Sequence, residues 1–201
     1  MRSRRRPTDE RRVELADAAL QIIATRGIAE LNTKAVAEAV GLTTGAIFRH
    51  FASMDELLIA VAERVEAVLT ESYPPEDLAP LDRLSGFIAA RSAAVGDRVG
   101  ILRLMLSEQF ALALPEAAAR RLRAAVAATR AYLVTTLAAA QAARQVRRDV
   151  EPEVLAVIVM GTIQMLAMLS NHGHGKHAAS PTAIREALVR LLAAPVPPRR
   201  K

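Results

Sequence analysis

No cysteine occurs in the 201 residues, so neither a disulfide framework nor a thiolate metal site is available. Tryptophan is absent too, and two tyrosines with four phenylalanines bring the aromatic share to only 3%. Residues that favour strands are sparse beside alanine and leucine, which are strong helix formers. The class expected is therefore all-α. The N-terminus lacks the apolar run of a signal peptide, because Arg2, Arg4, Arg5 and Arg6 lead straight into Thr8, Asp9 and Glu10. The longest apolar stretch, Val154 to Leu169, carries Thr162 and Gln164 and is short for a bilayer. No membrane partner is expected, and the cytoplasm is the expected compartment. There is no Gly-x-Ser-x-Gly elbow, no His-Glu-x-x-His pair and no phosphate-binding glycine loop. A catalytic role and a cofactor are accordingly not expected.

What the sequence does have is a large apolar share, 52%, and a net charge of +6 that is unevenly placed. Residues 1–6 contribute +4 and residues 199–201 contribute +3, leaving −1 for everything between. The basic character belongs to the two ends. Two readings of it stand open: solvated tails, or an N-terminal arm in which Arg4, Arg5 and Arg6 gain affinity for a polyanion by releasing phosphate counterions.

Along the chain, Asp9 to Arg26 reads as a helix with Ala16, Ala19, Leu20 and Ile23 on one face, stopped by Gly27. Thr33 is placed to cap a second, short helix running to Val40 and ended by Gly41. Thr43 or Thr44 opens a third, ending near Phe51. Ser53-Met54-Asp55-Glu56 then reads as a capping box that starts a long helix from Asp55 to about Ser72. Further helices are expected over about 81–95, 100–112, 116–146, 153–170 and 182–193, with Pro115, Pro152 and Pro181 where first-turn prolines belong.

The segment from Thr33 to Phe51 has the spacing of a helix-turn-helix. Val36, Ala37, Val40, Leu42, Ile47 and Phe51 can close one small core, and Gly41 gives the turn its backbone freedom. Thr43, Thr44, Gly45, Ala46, Phe48, Arg49 and His50 are left facing outward. These helices could simply fold the N-terminus, but an outward aromatic such as Phe48 asks for a partner.

The stretch Gly41-Leu-Thr-Thr-Gly-Ala-Ile-Phe-Arg-His-Phe-Ala-Ser-Met-Asp-Glu-Leu-Leu58 resembles the recognition helix and fourth helix of the tetracycline-repressor (TetR) family, within a match covering about residues 10–60. The resemblance implies a sequence-specific transcriptional regulator, a homodimer that binds a double-stranded DNA operator. It implies a helix-turn-helix head over residues 1–53 joined to a larger helical effector-binding and dimerisation domain over 54–201. Thr33, Thr43 and Thr44 would contact phosphate or base edges, and Gly45 and Ala46 would allow close approach to the major groove. Phe48, Arg49 and His50 would line the DNA surface, with Arg49 directed at a guanine or a phosphate. Two positions depart from the family: Phe48 stands where tyrosine is common and Met54 where lysine is common. Two usual phosphate contacts are thereby removed, and the Arg-rich arm becomes the compensating contact.

Beyond residue 60 the resemblance is architectural. Val154 to Leu169 is apolar nearly all round, and the last helix presents Ile184, Ala187, Leu188, Leu191 and Leu192 as a stripe. The resemblance implies that these two helices pair with their copies, placing Ile163, Ile184, Leu188, Leu191 and Leu192 at a dimer interface. Phe87, Arg91, Met105, Phe110, Tyr132, Met160, Gln164 and Met168 combine adaptable apolar groups with a few polar handles, and are either core filler or the lining of an effector pocket. The composition suits a small apolar or amphipathic organic effector. His172, His174 and His177 could converge on zinc or nickel, but their glycine-rich surroundings favour a solvated connection, and no metal is expected.

The expected activity is that of a ligand-released repressor reading a palindrome. A small-molecule-binding protein whose head no longer reads DNA, and a nonspecific DNA-compacting protein, are the competing readings.

Overall fold

The computed structural model describes residues 8–96, 101, 112–171 and 180–193. The arm residues Arg4, Arg5 and Arg6 lie outside the described residues, as do the helix expected over 100–112 except its ends, Met105 and Phe110, the histidines of 172–177 and the basic C-terminus. The protein is all-α, with eight α-helices among the described residues. These are α1 (Thr8–Arg26), α2 (Thr33–Ala39), α3 (Thr44–Ile47), α4 (Met54–Glu71), α5 (Pro80–Gly96), α6 (Glu116–Ala142), α7 (Pro152–Asn171) and α8 (Pro181–Leu192), plus a 3-10 turn at Ile28–Glu30. The chain divides into two compact units, one of residues up to Thr70 with those of 98–125, the other of 71–97 with those from 126 onward. Leu57, Leu58, Val61 and Val65 on α4 are buried, and the Arg64 Nε donates to Asp17 Oδ1 on α1 at 2.9 Å, which ties α4 to the head.

In the first unit, local chemistry sets each helix boundary. Gly27 at φ +88° and Gly41 at φ +67° take the left-handed backbone that other residues adopt at a cost. Gly41 lets the Leu42 N–H reach back to the Ala37 carbonyl at 2.8 Å and close α2. The cap of α2 is Asn32, one residue before the expected Thr33: its side chain accepts the Ala35 N–H at 2.9 Å, from an extended backbone. At α4, Ser53 Oγ accepts the Glu56 N–H at 3.2 Å as a capping box requires, but the Glu56 carboxylate takes the N–H of Ala52, at 2.6 Å. The third helix, α3, is shorter than expected. Regular helix ends at Ile47, and the chain continues in turns, the His50 and Phe51 N–H groups both returning to the Ile47 carbonyl at 2.8 and 3.0 Å.

The second unit is built around Leu84, Phe87 and Ile88 of α5, Leu133, Leu137 and Ala140 of α6, Leu155, Val159 and Leu166 of α7, and Leu188 and Leu192 of α8. Each of these leucine, isoleucine, valine and phenylalanine side chains contributes roughly 1.5–3 kcal/mol by leaving water. Pro80, Pro152 and Pro181 open their helices, where the missing N–H costs nothing. Ser180 caps α8 by accepting the Ala183 N–H at 3.1 Å. α6 ends at Ala142, four residues earlier than expected, where Arg144 adopts φ +58°. The following chain pairs Val146 with Ala193 in an isolated antiparallel bridge.

The stretch expected to be short for a bilayer is the interior of α7. That helix has 20 residues, and its Pro152–Leu169 window, with mean hydropathy 1.8, is long and apolar enough by length and composition to cross a membrane. A third of that window is buried in the chain's own core (33%).

Candidate functional site

The head presents two faces. Val36, Ala37, Ile47 and Phe51 are buried, while Val40 and Leu42 are half-buried at the edge of the same core. On the other face Thr43, Thr44, Gly45, Phe48 and Arg49 are exposed, Ala46, His50 and Thr33 are half-buried, and Phe48 shows 52% of its surface. A Cβ added at Gly45 would meet no atom within 4 Å. The glycine is therefore not demanded by internal packing. Its smallness is available to whatever approaches from outside.

Thr43 occupies the N-cap position of α3 without a side-chain cap bond, so its hydroxyl remains available at a helix N-terminus. The His50 ring is turned partly inward, with Nδ1 buried and without a hydrogen-bond partner. Arg49 makes no ion pair among the described residues. Taken together, this is a surface of hydroxyls, one open glycine, one aromatic and one guanidinium, carried on α3 and the turns that flank it.

Sequence alone does not mark Arg12, which sits on what reads as the charged, solvated face of α1. Its Nη1 donates to the His50 carbonyl and to Glu56 Oε1 (3.2 Å), and its guanidinium carbon lies 4.3 Å from the centroid of the Phe51 ring. The Ala52 N–H and the Arg12 guanidinium hold the Glu56 carboxyl below the ordinary glutamate range.

In the second unit Phe87 is fully buried, and Arg91 is 4% exposed. Around them is a cluster that composition does not reveal. Tyr73 stacks on Phe87 with centroids 5.5 Å apart, Tyr132 meets Tyr73 edge-on at 4.8 Å, and Phe87 and Tyr132 lie 4.9 Å apart. The Arg91 guanidinium carbon is 4.8 Å from the Phe87 ring centroid and 5.1 Å from that of Tyr73. Its Nε donates to Ser72 Oγ at 2.6 Å and its Nη1 to Thr129 Oγ1 at 3.1 Å. Burial pushes the Arg91 guanidinium below its ordinary value, opposed by its bond to Tyr73. Burial also raises the Tyr132 hydroxyl, opposed by the Thr136 side chain; the Tyr132 oxygen is enclosed without a well-formed hydrogen bond, as is Arg83 Nε one turn before Phe87.

The other expected pocket residues lie along one stripe of α7. Met160 packs partly buried against the core, Gln164 is half-buried, and Met168 is exposed. The expected pairing residues are split. Ile163, Leu188 and Leu192 are buried in this chain's own core, and Ile184 is half-buried against it. Leu191 is 69% exposed, and α7 leaves Val154, Val157, Ile158, Met165 and Met168 on its outer side.

Residues 15–61 match the family described as bacterial regulatory proteins, tetR family. No curated protein sequence matches the chain. Several solved structures share its architecture. The ketosteroid transcriptional regulator KstR2 of Mycobacterium tuberculosis aligns with TM-score 0.73 at 18% identity, over 91% of this chain and 95% of that one. A TetR-family regulator from Agrobacterium tumefaciens aligns at 0.73 and 19%, over 94% and 100%. AibR, solved with isovaleryl coenzyme A and operator DNA, aligns at 0.73 and 17%, over 90% and 98%. Identities this low establish the common fold, and the matched segment coincides with the helix-turn-helix and the start of α4. Residues 15–61 thus carry the N-terminal segment of the bacterial tetR-family regulatory proteins, and the described fold is the one that these solved regulators share.

Proposed function

We propose that the protein is a homodimeric, ligand-released repressor of a palindromic operator. The observation that carries this reading is the exposed row Thr44, Gly45, Phe48 and Arg49 set directly above buried Ile47 and Phe51. A half-exposed phenylalanine at the C-cap of a four-residue helix gains nothing from the fold it sits on. It gains a partner when the helix lies in the major groove. In this reading Thr33, Thr43 and Thr44 contact phosphate or base edges, Ala46 and Gly45 keep the backbone close, Arg49 reads a guanine or grips a phosphate, and His50 lines the groove. Arg4, Arg5 and Arg6 supply the phosphate contacts that Phe48 and Met54 do not.

One such helix spans few base pairs, and two copies on a two-fold axis read a palindrome. The outer apolar side of α7 with Leu191 of α8 is the face proposed for that pairing, and it gives α7 a reason for its apolar length that needs no bilayer. The effector is proposed to bind in the second unit, beside Phe87, Arg91 and Tyr132, and to be amphipathic, since the cluster offers rings beside a guanidinium and hydroxyls. The AibR complex with isovaleryl coenzyme A and operator DNA supports the pairing of effector and operator on this fold. Residues 72 and 73, which belong to the cluster, follow α4 directly in the chain, and a displacement of α4 is the proposed signal. The effector must then bind the operator-bound and free dimers with different affinity.

Fluorescence anisotropy at two salt concentrations tests the reading, comparing a duplex selected by the protein from a random library with a scrambled duplex. Preference for the selected duplex with a steep salt slope is expected. Equal affinity for both would reduce the protein to a nonspecific binder.

A further inference from the structure

The recognition segment is too short to orient itself. Its regular helix covers four residues, Thr44–Ile47, and Thr43 makes no side-chain cap bond. A helix of this length has almost no intrinsic stability, so its direction comes from whatever holds its two ends. Ile47 and Phe51 anchor it from beneath. The end of the segment is held by one side chain from a different helix, Arg12 of α1.

Arg12 bonds the carbonyl of His50, the last residue before Phe51, and thereby serves the electronegative end of the segment. The same guanidinium meets Glu56 Oε1 in the first turn of α4, and it lies over the ring of Phe51. Glu56 in turn holds the Ala52 N–H with its other oxygen, so the link between the recognition segment and α4 is fastened on both sides. Farther along, Arg64 and Asp17 join α1 to α4 a second time. Two ion pairs thus join α1 to α4, and Arg12 is where that pair grips the recognition segment. We propose that Arg12 is a positioning residue for operator reading: through His50 and Glu56 it sets the angle at which α3 enters the groove, without touching DNA.

The inference rests on the proposed operator reading. A lysine keeps the charge of Arg12 but loses the planar fork and the stacking on Phe51. With the wild-type-selected duplex and its scrambled counterpart as probes, Arg12→Lys is expected to lower the selected-to-scrambled affinity ratio on the order of tenfold. Affinity for the scrambled duplex and the salt slope should not change. Glu56→Gln, which retains an acceptor for Ala52, should give a smaller loss of the same kind, and it serves if Arg12→Lys fails to fold. Ser53→Ala removes a cap and lowers the thermal midpoint, but should leave the ratio intact, separating positioning from stability.

A fall in salt slope of about one on Arg12→Lys would make Arg12 a phosphate contact and overturn the proposal. So would an unchanged ratio in Arg12→Lys, or in Glu56→Gln where Arg12→Lys does not fold. If the wild-type chain enriches no sequence, the operator reading fails and this inference falls with it. If it enriches one that Arg12→Lys reads equally well, the inference alone falls.

Discussion

The Glu56 carboxylate accepts the backbone N–H of Ala52 at 2.6 Å, while Ser53 between them accepts the N–H of Glu56. This reciprocal pair ends the recognition segment and begins α4 within five residues. It makes one carboxylate responsible for a cap, a turn and an ion pair with Arg12.

That arrangement has a pH consequence. Because its partners hold the Glu56 carboxyl below the ordinary range, its contribution to stability is complete above the unfolded value, about 4.3, and is lost as pH falls through the lowered folded value. Glu56→Gln should therefore flatten the acid limb of a plot of thermal midpoint against pH and lower the midpoint near neutrality. An acid limb identical to wild type would show that other carboxylates dominate.

Phe48 separates folding from binding. It is 52% exposed, and Phe48→Ala is expected to change folding stability by no more than about 0.5 kcal/mol while weakening operator binding. Phe48→Tyr adds a phenol donor toward phosphate and should tighten binding by about 1–2 kcal/mol. Calorimetric unfolding and anisotropy on the two variants check both halves.

Tyr132 carries an enclosed hydroxyl that makes no well-formed hydrogen bond, with only a weak interaction from Thr136. Removing such a group while keeping its ring relieves an unpaid desolvation cost, so Tyr132→Phe should stabilise the ligand-free protein by about 1 kcal/mol. Phe87→Ala, by contrast, removes a fully buried ring from the same cluster and should cost about 3–5 kcal/mol. Chemical denaturation reads both, and a destabilising Tyr132→Phe would mean that the hydroxyl has a partner in solution.

The head was nearly all legible in the sequence, and what was missed there is instructive. Spacing located the caps to within a residue, but which N–H a side chain satisfies depends on backbone direction. Asn32 is extended at φ −149° and caps α2 in place of Thr33, and Glu56 reaches Ala52 in place of Ser53. Arg12 could not be found, because a charge on an amphipathic helix looks the same whether it meets water or a carbonyl 38 residues away. In the second unit the helices were legible and their facing was not. A helix apolar on all sides, as α7 is, carries no periodicity to say which side meets the core, and Ile163 turned inward while Ile158 stayed out. The Arg83, Phe87 and Arg91 spacing marks one stripe of α5, yet nothing in it says that Arg91 is enclosed by Tyr73, Ser72 and Thr129.

The outer face of α7 gives a direct prediction on assembly. Ile158 is exposed and belongs to no described core contact, so Ile158→Asp should leave the helical signal and the fold intact while converting a dimer to a monomer in sedimentation. A variant that remains dimeric would move the interface to another surface.

The central claim is that two copies of this head read one palindrome through the α3 surface. Footprinting on the selected duplex tests it most directly. The account predicts two symmetric protected half-sites whose centres lie one helical turn, roughly 10 base pairs, or a multiple of it apart, both lost together in Phe48→Ala. A single protected half-site, or uniform protection without symmetry, would contradict it.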